Sequence, residues 1–131
     1  MTSRIARCCC GACTIEVKGE PLLNAICHCS SCKQRTGTAF GWSAYFADAD
    51  VVATTGKTNV YAKDGPAGYR RHFCANCGTT LWWKSFGFMP DDTGIAGGCF
   101  AGDALPQPNI SGTDGGRFAW VDLPETVFKV P

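Results

Sequence analysis

The chain has 131 residues and a formal net charge of only +1, which suits one domain, residues 1–131, with a modest core. Its Lys and Arg residues are scattered, so the sequence disfavours the broad basic surface of a nucleic-acid-binding protein. No apolar run approaches the ~20 residues that cross a bilayer, so no membrane partner is expected.

Short strands dominate the predicted elements. Ser30 or Ser31 is a candidate cap for a single helical turn that runs through Cys32 to Arg35 and stops at Gly37. The remaining pattern predicts a mainly β protein with little helix, in which Phe40, Trp42, Trp82, Trp83 and Trp120 are expected in the core. The β-branched or aromatic stretches that predict strands are, in chain order, Thr14–Val17, Gly41–Phe46, Tyr69–Phe73, Thr79–Trp83 and Gly94–Phe100.

Seven of the ten cysteines form three tight clusters. C-x-C and C-x-x-C loops turn two thiolates toward one point about 2.3 Å from each sulfur, which is the spacing of zinc ligands. The clusters are Cys8 and Cys10, then Cys27, Cys29 and Cys32, then Cys74 and Cys77.

A disulfide framework is the alternative that an even cysteine count allows. The N-terminal segment MTSRIARCCCG lacks the apolar core of a signal peptide, so we expect a cytoplasmic protein in a reducing environment, where thiols persist as thiols or metal ligands. The three remaining cysteines, Cys9, Cys13 and Cys99, are expected to be buried as small apolar residues.

Seven thiolates divide into one set of four and one set of three. The first and third clusters each end in glycine, Gly11 and Gly78, whose positive φ would let backbone amides face the sulfurs. This pairing predicts a saturated structural zinc site. A rival partition joins the central cluster with Cys13 or Cys99 in a second saturated site, and spacing alone leaves it open.

Four segments resemble a known family, the glutathione-dependent formaldehyde-activating enzymes, which include the centromere protein V domain. The resemblance implies a β-tent of twisted antiparallel sheets and supports the division into four and three ligands. It implies a structural zinc on Cys8, Cys10, Cys74 and Cys77, and a catalytic zinc on Cys27, Cys29 and Cys32. The segments that carry it are CCCGACTIEV, CHCSSCKQRTGTAF, RRHFCANCGTTLWW and FAWVDLPE.

The chemistry of a three-thiolate zinc favours one kind of reaction. Such a site has net charge −1 and acidifies bound water less than a three-histidine site does. An incoming thiol can instead lose its proton there and remain nucleophilic. Glutathione carries two carboxylates, for which Lys33, Arg35, Arg70 and Arg71 are candidate donors.

The two histidines, His28 and His72, are candidate bases. The side chain of His28 should face away from a metal shared by Cys27 and Cys29, because neighbouring residues of an extended segment alternate in direction. Since histidine titrates near neutrality, His28 is a candidate for proton transfer. His72 is expected to be structural.

The sequence therefore predicts a carbon–sulfur lyase resembling S-(hydroxymethyl)glutathione synthases, with two zinc ions per chain, that adds glutathione to formaldehyde. One alternative is a non-enzymatic zinc-stabilised module that binds a protein or nucleic-acid partner. A second is a reductase like methionine sulfoxide reductase B with Cys99 as nucleophile, although that family's surrounding motif is absent. The oligomeric state is not predicted.

Overall fold

The computed structural model describes residues 2–102 and 105–131. These residues form eleven strands, one α-helix and three short 3-10 helices. The α-helix, α1, spans Ser30–Thr36, and the 3-10 helices span Asp48–Asp50, Gly97–Phe100 and Asp114–Gly116. The strands are β1 Ser3–Arg7, β2 Thr14–Lys18, β3 Leu23–Cys27, β4 Gly41–Ala47, β5 Val51–Thr55, β6 Thr58–Lys63, β7 Tyr69–Cys74, β8 Thr80–Ser85, β9 Asp92–Ala96, β10 Ile110–Gly112 and β11 Phe128–Lys129.

The described strands form two sheets. The smaller sheet has the order β1-β2-β5, and the larger has the order β11-β10-β3-β4-β9-β8-β7-β6. All pairings are antiparallel except those of β10, which runs parallel to β3 and to β11. The predicted mainly β fold of twisted antiparallel sheets with little helix is confirmed, with this short parallel strand as an addition.

One hydrophobic cluster contains residues from both sheets. Ile15 and Val17 of β2 lie on one side, and Phe46, Leu81 and Ile95 of the larger sheet lie on the other, all fully buried. The alternation along β2 is that of a strand with one face against a core. Buried Cys8, Cys13 and Cys74 belong to the same cluster, so two of the predicted metal ligands lie at the edge of the core.

Most of the predicted strands are confirmed, with small shifts at their ends. The exception is the predicted strand Gly94–Phe100, because the observed strand β9 ends at Ala96. The chain then turns into the 3-10 helix Gly97–Phe100, which buries Phe100 in the core.

The predicted helix is present, but its cap differs from the prediction. Cys29, rather than Ser30 or Ser31, occupies the N-cap position, where its Sγ accepts a hydrogen bond from the backbone N–H of Cys32 at 3.3 Å. The helix ends at Gly37, as predicted, in the left-handed conformation with φ 65°. Because the sulfur of Cys29 caps the helix, the helix in turn holds that sulfur in place.

Three of the five aromatic side chains expected in the core pack in or against it, and a fourth, Phe40, is half-buried. Trp83 is buried, and Trp42 and Trp82 pack on the core cluster. The prediction was wrong for Trp120, which is 73% exposed and stacks on Phe118. Within the described ranges, no helix combines the length and apolar character needed to span a bilayer.

Candidate functional site

Four cysteines from two distant segments meet at one point. Cys8 and Cys10 follow β1, Cys74 is the last residue of β7, and Cys77 lies in the turn between β7 and β8. Their sulfur atoms all lie within 4.8 Å of one another, and the Sγ of Cys10 is 3.7 Å from the Sγ atoms of both Cys8 and Cys74. Two sulfurs bound to one tetrahedral zinc at about 2.3 Å lie ~3.8 Å apart. These four residues could therefore hold a metal ion.

Backbone N–H groups and a hydroxyl surround this four-cysteine cluster. The N–H of Cys13 donates to the Sγ of Cys8 at 3.2 Å, and the N–H of Cys77 donates to the Sγ of Cys74 at 3.4 Å. Hydrogen bonding with Thr79, whose Oγ1 lies 3.2 Å from the Sγ of Cys77, lowers the pKa of Cys77 to about 5. Such contacts favour thiolates.

The glycines that follow these ligand pairs have the predicted conformation. Gly11 has φ 79° and Gly78 has φ 80°, values that residues with a Cβ adopt only at a cost. The N–H of Gly11 bonds to the carbonyl of Cys8, and the N–H of Gly78 bonds to that of Cys74. Each pair of cysteines is therefore held in a tight turn of its own.

The central cysteines form a second, local cluster. Cys27 is the last residue of β3, Cys29 caps α1, and Cys32 lies in the first turn of that helix. Their sulfur atoms also lie within 4.8 Å of one another. Among the described residues, no further His, Cys, Asp or Glu side chain joins this group. The structure thus brings the predicted sets of four and three together, and leaves Cys13 and Cys99 out of both.

Hydrogen bonding within this cluster shifts the pKa values of Cys27 and Cys32 in opposite directions. A hydrogen bond with Cys32 lowers the pKa of Cys27 to about 5 despite the opposing effect of burial, and hydrogen bonds with Cys29 and Thr113 act in the same direction. The same bond to Cys27, together with burial, raises the pKa of Cys32. Clustered thiols that compete for protons in this way are suited to a cation that neutralises all of them together.

The three remaining cysteines have different environments. Cys13 is buried as predicted; burial raises its pKa to about 11, and its thiol donates to the carbonyl of Lys57. Cys99 is half-buried, and burial raises its pKa to about 11 as well. The prediction was wrong for Cys9, which is exposed.

Arg35 lies close to the three-cysteine cluster. Its guanidinium stacks 4.5 Å from the centroid of the Trp83 ring, and its Nη2 is buried without a hydrogen-bond partner. Burial lowers the pKa of Arg35, while the Cys32 thiolate acts in the opposite direction. The guanidinium of Arg35 fits beside Gly41 because this residue has no side chain. A Cβ added at Gly41 would lie 2.7 Å from Nη2 of Arg35 and 3.1 Å from the Cβ of Cys32.

The other three predicted cations already have partners. Lys33 donates to the carbonyl of Gly116 at 2.6 Å and lies over the ring of Phe118. Arg70 pairs with Asp64 at 2.8 Å. Arg71 donates to the hydroxyl of Ser31 on α1 at 2.7 Å and stacks on Tyr69.

Neither histidine belongs to the cysteine clusters. His28 is 1% exposed, packs edge-on against Phe40, and has no hydrogen-bond partner on either ring nitrogen. Burial lowers its pKa, so the neutral form is favoured. His72 stacks on Trp82 with the ring centroids 3.6 Å apart, which agrees with a structural role.

Sequence reasoning did not find a cavity beside the three-cysteine cluster. Cys27 and Cys32 line one part of this cavity, whose volume is about 530 Å³. The cavity forms because β10 pairs with β3. No sequence pattern predicts this pairing.

Comparisons with known proteins agree with this fold. A crystal structure of a Rhodobacter sphaeroides protein has a TM-score of 0.60 and 23% identity, covering 75% of this chain and 88% of that one. It shows the same fold. A curated Fusarium vanettenii protein, named provisionally as a glutathione-dependent formaldehyde-activating enzyme, is 31% identical over 80 residues. That match covers 60% of this chain and 43% of the fungal protein, so it spans less than half of the relative's length.

The family model described as glutathione-dependent formaldehyde-activating enzyme matches residues 3–112. This range contains both cysteine clusters and the strands that position them. The chain belongs to the glutathione-dependent formaldehyde-activating enzyme family.

Proposed function

We propose that the protein is a zinc-dependent enzyme of the carbon–sulfur lyase type that reversibly adds the thiol of glutathione to formaldehyde. The observation that carries this proposal is the difference between the two clusters. One has four sulfurs, the number that saturates zinc. The other has three and borders a cavity. The family description names the same thiol and aldehyde.

The proposal assigns one zinc to each cluster. Cys8, Cys10, Cys74 and Cys77 would hold a structural ion, and Cys27, Cys29 and Cys32 would hold the second. Zinc bound by three thiolates supplies a fourth position where a thiol can ionise and stay nucleophilic.

The protein's own residues would hold and orient the thiol substrate. Arg35 is the best-supported partner for a glutathione carboxylate, because its Nη2 has no partner within the described structure. Arg71, whose charge acts on Arg35, is the second candidate. Lys33 and Arg70 would first have to leave Gly116 and Asp64.

The proposed reaction needs no reactant other than glutathione and formaldehyde. The sulfur of glutathione forms a bond to the aldehyde carbon, the carbonyl π bond breaks, and the thiol proton ends on the new hydroxyl oxygen. The product is S-hydroxymethylglutathione.

The proposal is tested by exchange NMR on glutathione and formaldehyde at equilibrium, with and without the zinc-loaded protein. We expect faster exchange between free and adduct formaldehyde with the wild type than with buffer, and no acceleration with Cys29→Ala. Equal exchange rates with wild type, variant and buffer would contradict an enzymatic function and favour a binding module.

A further inference from the structure

The cavity beside the three-cysteine cluster has a floor made by three neighbouring strands. Ile110 of β10 pairs with Ala25 of β3, which pairs with Ser43 of β4. All three residues line the cavity. Residues two apart on a strand share a face, so Ala25 and Cys27 lie on the same side of the sheet. The floor therefore leads directly to a predicted metal ligand.

The walls of the cavity are mainly apolar. Phe88 packs edge-on against Tyr45 with the ring centroids 5.4 Å apart, and both line the cavity. Val130 lines it as well, held by backbone hydrogen bonds with Ser111 and Asp114. Among the described residues that line the cavity, none is an Asp, Glu, Lys, Arg or His.

Neither substrate of the proposed reaction fills this cavity well. Glutathione has two carboxylates, which need cationic or hydrogen-bonding partners, and the candidate cations do not line the cavity. Formaldehyde has only two heavy atoms, whereas about 530 Å³ is within the range of pockets that hold much larger ligands. The cavity suits an apolar group attached to one of the reacting atoms.

We propose, building on the function proposed above, that this cavity receives the alkyl or aryl substituent of an aldehyde larger than formaldehyde. The thiol adds to R–CHO to give the thiohemiacetal R–CH(OH)–SG. The sulfur–carbon bond forms, the carbonyl π bond breaks, and the thiol proton ends on the hydroxyl oxygen. The substrate class is therefore apolar aldehydes, with the substituent R lying on the floor formed by Ile110, Ala25 and Ser43.

The test combines a binding and a rate measurement on the zinc-loaded protein. Hexan-1-ol has an apolar chain but no carbonyl, so NMR titration with it reports on the cavity without chemistry. We expect saturable binding of hexan-1-ol and none of methanol. Exchange NMR with glutathione should show a larger acceleration, relative to buffer, for hexanal than for formaldehyde.

Two variants and a matched control connect both readouts to the cavity. Ala25→Leu fills the floor and should weaken hexan-1-ol binding by about tenfold or more, as expected for added methyl groups in an apolar pocket. Val130→Asp places a charge in the wall without removing a backbone hydrogen bond, and should weaken binding in the same way. Ala53→Leu makes the same change at an exposed position of β5 and should bind like the wild type.

The possible failures can be told apart. If formaldehyde exchange is accelerated but hexan-1-ol does not bind and hexanal is not favoured, this inference is overturned and the proposed function stands. If neither aldehyde is accelerated, the proposed function itself is overturned. Binding of hexan-1-ol that neither cavity variant weakens would also refute the assignment of the substituent to this cavity.

Discussion

Arg35 stacks on Trp83, with its guanidinium carbon 4.5 Å from the ring centroid, and keeps one buried amino group without a hydrogen-bond partner. The stacking holds the guanidinium of Arg35 in place, because a guanidinium is attracted to the face of an aromatic ring. A buried donor left unpaired costs about 1–3 kcal/mol. An anionic substrate group would remove this cost if the side chain turned to expose Nη2, which is buried in this structure.

The first prediction follows from that unpaired donor. Arg35→Ala should weaken glutathione binding by ~1.5–3 kcal/mol, the usual value of a hydrogen bond between charged groups. Arg70→Ala is the matched control and should have little effect, because Arg70 is already paired with Asp64. Calorimetry on zinc-loaded proteins measures both. A larger loss with Arg70→Ala would show that the carboxylate binds elsewhere.

The second prediction concerns metal content. Protein purified without chelator should contain about two zinc ions per chain, since tetrahedral zinc is satisfied by the four-cysteine cluster and retained at the three-cysteine cluster with a further ligand. Elemental analysis checks the number. A value near one or zero in well-folded protein would contradict the assignment of zinc to both clusters.

The third prediction separates the two clusters by mutation. Cys77→Ala should unfold or aggregate the protein, because structural zinc sites couple binding energies of ~10 kcal/mol or more to folding. Cys29→Ala should give a folded protein with one metal fewer. Melting curves and metal analysis distinguish them.

A neighbouring cysteine supplies the control for this comparison. Cys9 is exposed and lies outside the four-sulfur group, so Cys9→Ala should melt like the wild type and keep its metal. The opposite order of stability between Cys77→Ala and Cys29→Ala would reverse the structural and catalytic roles.

The fourth prediction tests thiol ligation. Glutathione should release a proton when its sulfur binds at the three-cysteine site, so the calorimetric heat should depend on the ionisation enthalpy of the buffer. S-methylglutathione keeps both carboxylates but has no ionisable thiol, and should bind much more weakly. Equal affinities for the two compounds would refute binding through sulfur.

The fifth prediction concerns the pH dependence of stability. Asp114 accepts hydrogen bonds from Arg117 and Ser111 at 2.9 and 2.8 Å, and these bonds hold the pKa of its carboxyl below the ordinary value. A depressed folded-state pKa contributes stability above the ordinary carboxyl pKa, and this contribution is lost as pH falls through the folded value. Asp114→Asn should therefore melt below the wild type by a constant amount between about pH 5 and 8.

The gap in melting temperature should close in more acidic buffer, where the wild-type carboxyl also becomes neutral. Thermal melts of both proteins across this pH series provide the measurement. A gap that widens toward acid would contradict the depressed pKa.

The cysteine clusters could be predicted from sequence because their ligands are close together in pairs or triplets. The sequence did not predict strand β1 because the residues on its buried face do not form an apolar pattern. Arg4 and Ala6 point inward, and Arg4 is satisfied there by the carbonyl of Gly19 and by Glu20. The Cys29 cap was missed since sequence rules for caps consider oxygen acceptors, whereas here a sulfur accepts the bond.

The cavity could not be predicted because it depends on long-range register. Ile110 reaches Ala25 only after the chain has returned across the molecule to form β10. The same holds for Arg35, which sequence reasoning placed among four equivalent cations. Arg35 differs from the other three cations because it stacks on Trp83 of β8 and fits in the space beside Gly41.

The two clusters also differ in when they can first form during synthesis of the chain. Cys27, Cys29 and Cys32 are near neighbours in sequence and leave the ribosome almost together. Cys10 and Cys74 are 64 residues apart, and closing so long a loop carries an entropic cost that a local triplet avoids. If the three-cysteine cluster holds the proposed second zinc, a nascent chain can therefore bind that ion while the strands that will enclose the cluster are still being made.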